Sequence, residues 1–400
     1  MNGRTFKRTL PSGRVTWGYS IDAGQDKDGK RKRIFKSGFD RKGDADTALR
    51  QKLNQRDEGE LVKPDPQTLA AFVEEWFREY GSRKCSPKTL ERYKSLAAYV
   101  VRHLGDARLQ ELSALALERV FNLLKDAGGY DPKTKKPRPL SPMTVHHVGA
   151  VVNVILKKAV KLKLLKSNPM EGVELPTVPH TEARVLDSEK VTWYLDTARA
   201  HNPGLYEILM FCAATGCRRG EALALAWPDI DLVHGAARIS KSLEQTREGL
   251  RVKSTKTERT RTISLPASLV ELLRFQRERQ QEDRHLFGPD YHLDLDLVFC
   301  NPQGDYLKPN NVSSKASQIA RRAGLGKGVS MHTLRHSHAS QLLSSGVSLP
   351  PVSKRLGHTD VHTTASIYSH ALPKDDLKAA EAWEANFKKA ADVASTVKAS

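Results

Sequence analysis

Val15-Thr-Trp-Gly-Tyr-Ser-Ile21 alternates apolar and polar positions, as a half-buried strand does. Asp26 to Lys30 reads as a turn in which Gly29 is free to take positive φ, and Arg31 to Lys36 reads as a second, basic strand. The period then lengthens, and Asp44 to Arg56 is predicted as a helix. Val62-Lys-Pro-Asp-Pro66 is a linker, because two prolines in three residues resist both helix and sheet. Beyond it Leu69, Phe72, Val73, Trp76, Phe77 and Tyr80 recur at helical spacing. Ser86-Pro87 and Ser141-Pro142 each set an N-cap serine before a first-turn proline, so each opens a helix. The second of these carries Val145, Val148, Val152, Ile155 and Leu156. Gly128 to Pro139 between them is a polar, basic loop. Residues 67–170 thus read as an all-helical domain, with the aromatic stripe from Phe72 to Phe77 as core and not as a base-stacking platform.

A second Pro-containing linker spans 168–179, and the rest of the chain is mixed. Leu205 to Phe211 is an apolar helix, Gly216 interrupts the pattern, and Glu221 to Trp227 resumes it. Ala237 to Glu244, Arg251 to Ser254 and Arg261 to Leu265 are predicted strands. Helices are predicted at 267–285 and 309–323. Another runs from His332 to Ser345 and is stopped by Gly346. Its i, i+3 spacing puts His332 and Arg335 on one face. The stretch from Asp375 to Ala394, rich in Ala, Lys and Glu, is predicted helical, and no internal repeat is visible. The fold class expected is multidomain, mainly α with small antiparallel sheets: a small β-rich N-terminal module, a helical domain and an α+β domain.

Composition narrows the class. No run of 18 apolar residues is present, so no membrane span is expected, and the N-terminus lacks the apolar stretch of a secretory signal. Cys85, Cys212, Cys217 and Cys300 form no CxxC pair, which argues against disulfides and structural zinc and fits a reducing, cytoplasmic compartment. In the first 180 residues 35 Lys and Arg stand against 21 Asp and Glu, a surplus of 14 within a net charge of +19. Such a basic surface favours a polyanion, most simply nucleic acid. Arg31, Lys32 and Arg33 form a basic strand that either lies against a DNA groove or is a solvated edge guarded by charge; both readings stay open on the residues alone. Lys88 and Arg92, on the helix that Ser86 opens, are further candidate DNA contacts.

The candidate chemistry lies near the end of the chain: Arg218, Lys256, His332, Arg335, His358 and Tyr368, with Glu221 in support. Cleaving a phosphodiester requires charge stabilisation at the non-bridging oxygens, and arginine suits this because its planar fork matches two phosphate oxygens and keeps its charge. Arg218 and Arg335 are such a clamp. A tyrosine hydroxyl, with a pKa of about 10, is a weak nucleophile at neutral pH and needs a proton acceptor, for which His332 or His358 is available. A lysine on a hairpin, such as Lys256, can protonate the leaving 5′-oxygen. Each residue alone has an ordinary reading as a solvated charge, a surface histidine or a core tyrosine. His332 and His336, spaced i, i+4, also invite a metal, but the segment offers no cysteine or carboxylate to complete a site. The combination and its order carry the inference.

Four segments resemble the tyrosine recombinase (phage integrase) family: Ala214-Thr-Gly-Cys-Arg218-Arg-Gly-Glu221-Ala-Leu-Ala-Leu, His332-Thr-Leu-Arg335-His-Ser-His-Ala-Ser, Leu356-Gly-His358, and Thr363-Thr-Ala-Ser-Ile-Tyr368-Ser-His. Thr333 stands where the family often has aspartate. The resemblance implies a site-specific recombinase that integrates or excises a phage or other mobile element. Arg218, His332, Arg335 and His358 would surround the scissile phosphate, Tyr368 would form a 3′-phosphotyrosyl link, and Glu221 would orient Arg218. Lys256 is the implied general acid, with Lys253 a near neighbour. No cofactor is implied, neither ATP nor metal. The implied domains are an arm-type DNA-binding module at 1–62, a core-site DNA-binding domain at 67–170 and a catalytic domain at 180–373; the tail at 374–400 is expected, from its Ala-rich helical composition, to dock on a neighbouring protomer. The helical and catalytic domains would close on a duplex as a clamp. The implied partners are double-stranded DNA at attachment sites, three further copies in a homotetramer, and an excisionase or DNA-bending accessory protein, in a bacterial cytoplasm at the nucleoid. A type IB topoisomerase and a catalytically silent DNA-binding regulator remain as alternatives, and a transposase of the conjugative-element type is a subtype of the main reading.

Overall fold

The computed structural model describes residues 3–25, 31–57, 64–131, 134–179, 184–254, 260–358 and 360–368, together with Glu381, Trp383 and Glu384. The chain divides into two compact units, Met1–Pro179 and His180–Ser400.

The first unit begins with three antiparallel strands, Gly3–Thr9, Val15–Gln25 and Arg31–Phe39, paired in chain order. The first strand is not visible in the sequence pattern. Gly3-Arg-Thr-Phe-Lys-Arg-Thr9 has one large apolar side chain, and only its backbone pairing with residues 15–21 makes it a strand. The expected turn at Asp26–Lys30 lies outside the described residues. The helix Lys42–Asp57 covers one sheet face, where Tyr19 and Ile21 are buried beside Ala45. A Cβ on Gly3 would come within 2.8 Å of Leu49 on that helix, so the strand edge and the helix are in close contact. The opposite face carries Arg4, Phe6, Arg8, Arg33 and Phe35, and Phe35 is 63% exposed.

The helices that follow start where the caps predict. Ser86 and Ser141 accept the N–H groups of Thr89 and Thr144 at 3.3 and 3.2 Å, opening Pro87–Leu104 and Pro142–Lys161. Leu69–Trp76 and Ala114–Ala127 join them around Phe72, Trp76, Leu117, Phe121, Val148 and Leu156, so the aromatic stripe is core. The loop at 128–139 contains a minimal hairpin of Gly129–Tyr130 with Pro137–Arg138. The segment after Asn168 is anchored at its start: Pro169–Gly172 forms a 3-10 turn with Met170 buried.

In the second unit, helices Ser188–His201, Pro203–Thr215, Ala267–Phe287, Pro309–Arg322 and Met331–Ser344 enclose a core that includes Tyr194, Leu209, Phe211, Leu223 and Phe299. Two expectations are corrected here. Ala237 to Glu244 is not one strand. Ala236–Ile239 pairs with Arg261–Ser264 and Ile230–Asp231, and Lys241–Gln245 forms a separate hairpin with Leu250–Ser254. Ala237, Ile239 and Leu243 are buried, but Lys241, in phase with them, is exposed, so the alternation lapses where one ladder gives way to the other. Glu221 to Trp227 is not a resumed helix. One turn, Arg219–Ala222, gives way to chain that bonds across to residues 296–298. All of 221–225 is buried, so the apolar run records burial on every side and not helical periodicity. Two short helices, Leu349–Leu356 and Val361–Tyr368, follow. The predicted helix at 375–394 lies outside the described residues, apart from Glu381, Trp383 and Glu384 in helical backbone. Among the described residues no helix is long and apolar enough to cross a membrane.

Candidate active site

The helix Pro203–Thr215 stops at Gly216, whose φ of +69° favours glycine. Space demands glycine as well, since a Cβ there would lie 2.7 Å from His338 and 2.8 Å from Leu356. The turn sends Cys217 inward and leaves Arg218 at the start of the next helical turn. The Arg218 N–H donates to Glu221 Oε2 at 3.0 Å, and Arg218 Nη1 donates to Oε1 at 2.8 Å. Glu221 is buried and pairs on its other side with Arg261, at 2.7 Å from Nη2 to Oε2. Burial pushes the Glu221 carboxyl up, but Arg261 and Arg218 outweigh it and hold the group below its usual range.

Arg335 is fixed from the opposite direction. Its helix opens at Ser330, whose N–H donates to Thr333 Oγ1 at 3.0 Å. Thr333 therefore completes the helix start at a position where the resemblance leads one to expect aspartate. One turn in, the buried Arg335 guanidinium donates to Gly216 O at 2.7 Å and to Leu356 O at 2.8 Å. It thus ties together the two turns that precede Arg218 and His358. Gly357, with φ of +70°, ends the helix Leu349–Leu356, and His358 follows with Nδ1 2.8 Å from the hydroxyl of buried Thr364. Arg355 holds the same helix in place through His338 Nε2 at 3.0 Å and the carbonyls of Ala214 and Ser264.

Five sequence-nominated residues therefore share one site: Arg218, Glu221, His332, Arg335 and His358. Burial lowers the His358 pKa to about 4, assisted by Arg335, Arg218, His336 and Arg261. Desolvation, then Arg335, Arg218 and Arg219, lower that of His332. Both rings are neutral at pH 7 in the free protein, so either can accept a proton. Tyr368 is the last residue of the helix Val361–Tyr368, ten residues after His358, and its side chain is outside the described set. Lys256 also falls outside the described residues. Lys253, its alternative, is ion-paired with Glu244. Arg33, Lys88 and Arg92 are exposed in the other unit, and Arg31 and Lys32 are described there by backbone alone. Lys88 sits 3.4 Å from Glu91. Among the described residues no group of three or more His, Cys, Asp or Glu is placed to hold a metal.

Sequence reasoning missed Arg261, Arg355 and Thr364. For Arg261 a signal existed: it alternates in phase with Ile263 and Leu265, which marks it as inward-facing.

The histidines also set a pH limit. Burial, with Arg355 alongside, pushes His338 down to about 4, and its Nε2 must stay bare to accept from Arg355. An unfolded histidine binds its proton near pH 6.5, so the unfolded state gains protons first as pH falls. The stability held by neutral His338 and His358 is thus full above pH 6.5 and drains away towards pH 4. It amounts to on the order of 2 kcal/mol each after allowing for partial exposure. The melting temperature should fall over that window, and His338→Gln, which retains an acceptor, should flatten the slope. A wild-type melting temperature constant from pH 6.5 to 4.5 would contradict this.

Comparison with known proteins places three family models on the chain. The phage integrase family model matches residues 184–375, a phage integrase SAM-like domain matches 68–175, and an arm DNA-binding domain matches 5–55. A tyrosine recombinase XerC-like protein of Caldanaerobacter subterraneus is 26% identical over 394 residues, covering 93% of this chain and 96% of its own length. An integrase of Streptomyces ambofaciens is 27% identical, covering 89% of each chain. Among solved structures, the Tn1549 transposon integrase in complex with a circular intermediate DNA aligns with a TM-score of 0.61 at 15% identity, over 76% of this chain and 95% of that one. A lambda integrase tetramer bound to a Holliday junction aligns with a TM-score of 0.57 at 18% identity, over 91% of this chain and 94% of that one. At these identities the structural matches speak for the fold.

Proposed function

The chain belongs to the tyrosine recombinase (phage integrase) family, and from that premise we propose how its own residues cut and rejoin DNA. It is a site-specific DNA recombinase acting on double-stranded DNA. The observation that carries the reading is that Arg335 bonds both the turn before Arg218, at Gly216, and the turn before His358, at Leu356, with neutral His332 and His358 beside it.

In the proposed reaction the scissile phosphate sits between the guanidinium groups of Arg218 and Arg335. The Tyr368 hydroxyl attacks phosphorus while its proton passes to His332. The bond to the 5′-oxygen breaks, and that oxygen takes a proton from Lys256. His358, whose ring is oriented by Thr364, hydrogen-bonds a non-bridging oxygen. The 3′-phosphotyrosyl link conserves the ester, so a 5′-hydroxyl from a second duplex reverses the step without ATP. Exchange between two duplexes needs four such sites, so the working assembly is a homotetramer on DNA, with the tail after 374 bridging protomers.

The test is a nicked suicide duplex carrying the attachment site, incubated with the wild-type chain in EDTA and resolved on a denaturing gel. A covalent protein–DNA adduct is expected on that duplex only. Tight, specific binding with no adduct would favour a regulator, and relaxation of any supercoiled plasmid would favour a topoisomerase.

The helix-free face of the N-terminal sheet is proposed as the arm-site reader, because Arg4, Arg8 and Arg33 flank Phe6 and Phe35 on it. Removing all three arginines should weaken arm-type DNA binding and lower the slope of log affinity against log salt by roughly 2–3, about one per phosphate contact. An unchanged slope would place the arm site elsewhere.

A further inference from the structure

Arg261 has no role in the chemistry above, yet it is more deeply buried than Arg218: its side chain is 8% exposed against 40%. Three elements meet on its guanidinium. Nη1 and Nη2 donate to both oxygens of Glu221, at 3.3 and 2.7 Å, and Nε donates to the carbonyl of Arg355 at 2.9 Å. Nη2 also faces Cys217 Sγ at 3.8 Å. A Cβ on Gly357 would sit 2.8 Å from Nη1, so the turn that delivers His358 lies against the plane of this group. Glu221 in turn holds both the backbone and the side chain of Arg218.

Resting on the reading above, we infer that Arg261 is a positioning residue that locks Arg218 and the His358 turn into one rigid frame through Glu221 and the Arg355 carbonyl. A planar fork is suited to this task, since it reaches a carboxylate and a carbonyl at once in fixed geometry. A lysine ammonium on a flexible stem has the charge without the geometry. The arginine also keeps a buried carboxylate ionised. The charged and titratable groups around Glu221 are Arg261, Arg218, His332, Cys217 and Cys212. Without Arg261, burial is opposed by Arg218 alone, so the carboxyl would retain its proton to higher pH.

The experiment measures single-turnover cleavage of the suicide duplex, alongside its binding affinity, for wild type, Arg261→Met and Arg261→Lys at pH 6 and pH 8. For Arg261→Met the cleavage rate should fall roughly 100-fold at pH 6 and about tenfold at pH 8, because a protonated Glu221 releases Arg218. For Arg261→Lys it should fall about tenfold at both pH values, since the charge is kept and the second arm of the fork is lost. Binding should stay within about twofold of wild type, because the effect is on transition-state charge rather than on docking. An equal loss at both pH values for Arg261→Met, in step with a lower melting temperature, would reduce Arg261 to a structural residue. If Arg261→Met does not fold, Arg261→Lys decides alone, and a wild-type rate there overturns the inference. Absence of any adduct from the wild-type chain would remove the recombinase reading itself, whereas a wild-type adduct with undiminished Arg261→Met cleavage removes only this inference.

Discussion

Tyr368→Phe should bind the attachment-site duplex as tightly as wild type and form no covalent adduct, a loss of at least about 10⁴-fold if the hydroxyl is the sole nucleophile. The substitution deletes one oxygen at the last residue of the helix Val361–Tyr368. The arginines, Glu221 and the two neutral histidines of the proposed site remain, so the phosphate should still be bound and polarised. Nothing then attacks it from the protein. Water at the vacated position lacks the alignment of a tethered hydroxyl, and effective concentration is a large part of what a bound nucleophile supplies. The measurement is a denaturing gel of the suicide duplex with both proteins, followed by peptide mapping of the wild-type adduct. An adduct from Tyr368→Phe, or one mapping to a peptide without Tyr368, would place the nucleophile elsewhere.

Much of this site was legible in the sequence because it is built from short-range devices. The i, i+3 spacing of His332 and Arg335, the helix break at Gly216, and the serine caps at 86 and 141 in the other unit each act within one helical turn. Such devices fix local conformation whatever surrounds them. The parts that escaped depend on partners distant in the chain. Gly3–Thr9 is a strand only because residues 15–21 lie beside it. Ala237 to Glu244 splits because two different ladders claim its halves. Arg261 opens a predicted strand in phase with Ile263 and Leu265, and it becomes a tie only once Glu221 and Arg355, 40 and 94 residues away, meet it in space. The same holds for Arg335. Its pairing with His332 was visible, and its grip on Gly216 and Leu356 was not.

That grip makes Arg335→Lys the second large effect. Arg335 contributes charge to the proposed phosphate site and holds the backbone turns that carry the other two groups. Its Nη1 bond to Gly216 O fixes the turn before Arg218, and its Nη2 bond to Leu356 O fixes the turn before His358. A lysine keeps the positive charge but cannot reach both carbonyls. One buried carbonyl then loses its donor, at a cost of about 1–3 kcal/mol, which should lower the melting temperature by a few degrees. The catalytic loss should be larger. Removing a single preorganised donor to a developing oxyanion typically lowers the rate by about 10²–10³-fold, and here Arg218 and His358 shift with it. Cleavage of the suicide duplex should therefore fall by roughly 10³–10⁴-fold, most of it in the chemical step and little in duplex affinity. Arg218→Lys provides the contrast. Arg218 is 40% exposed and, among the described residues, its side chain pairs with Glu221, so Arg218→Lys, which keeps the charge, should slow cleavage with a smaller change in melting temperature than Arg335→Lys. If the two lysine variants lost rate and stability in equal measure, Arg335 would act as a second phosphate ligand without the bridging role. If Arg335→Lys cleaved within about tenfold of wild type, neither role would stand, since one missing oxyanion donor alone predicts more than that.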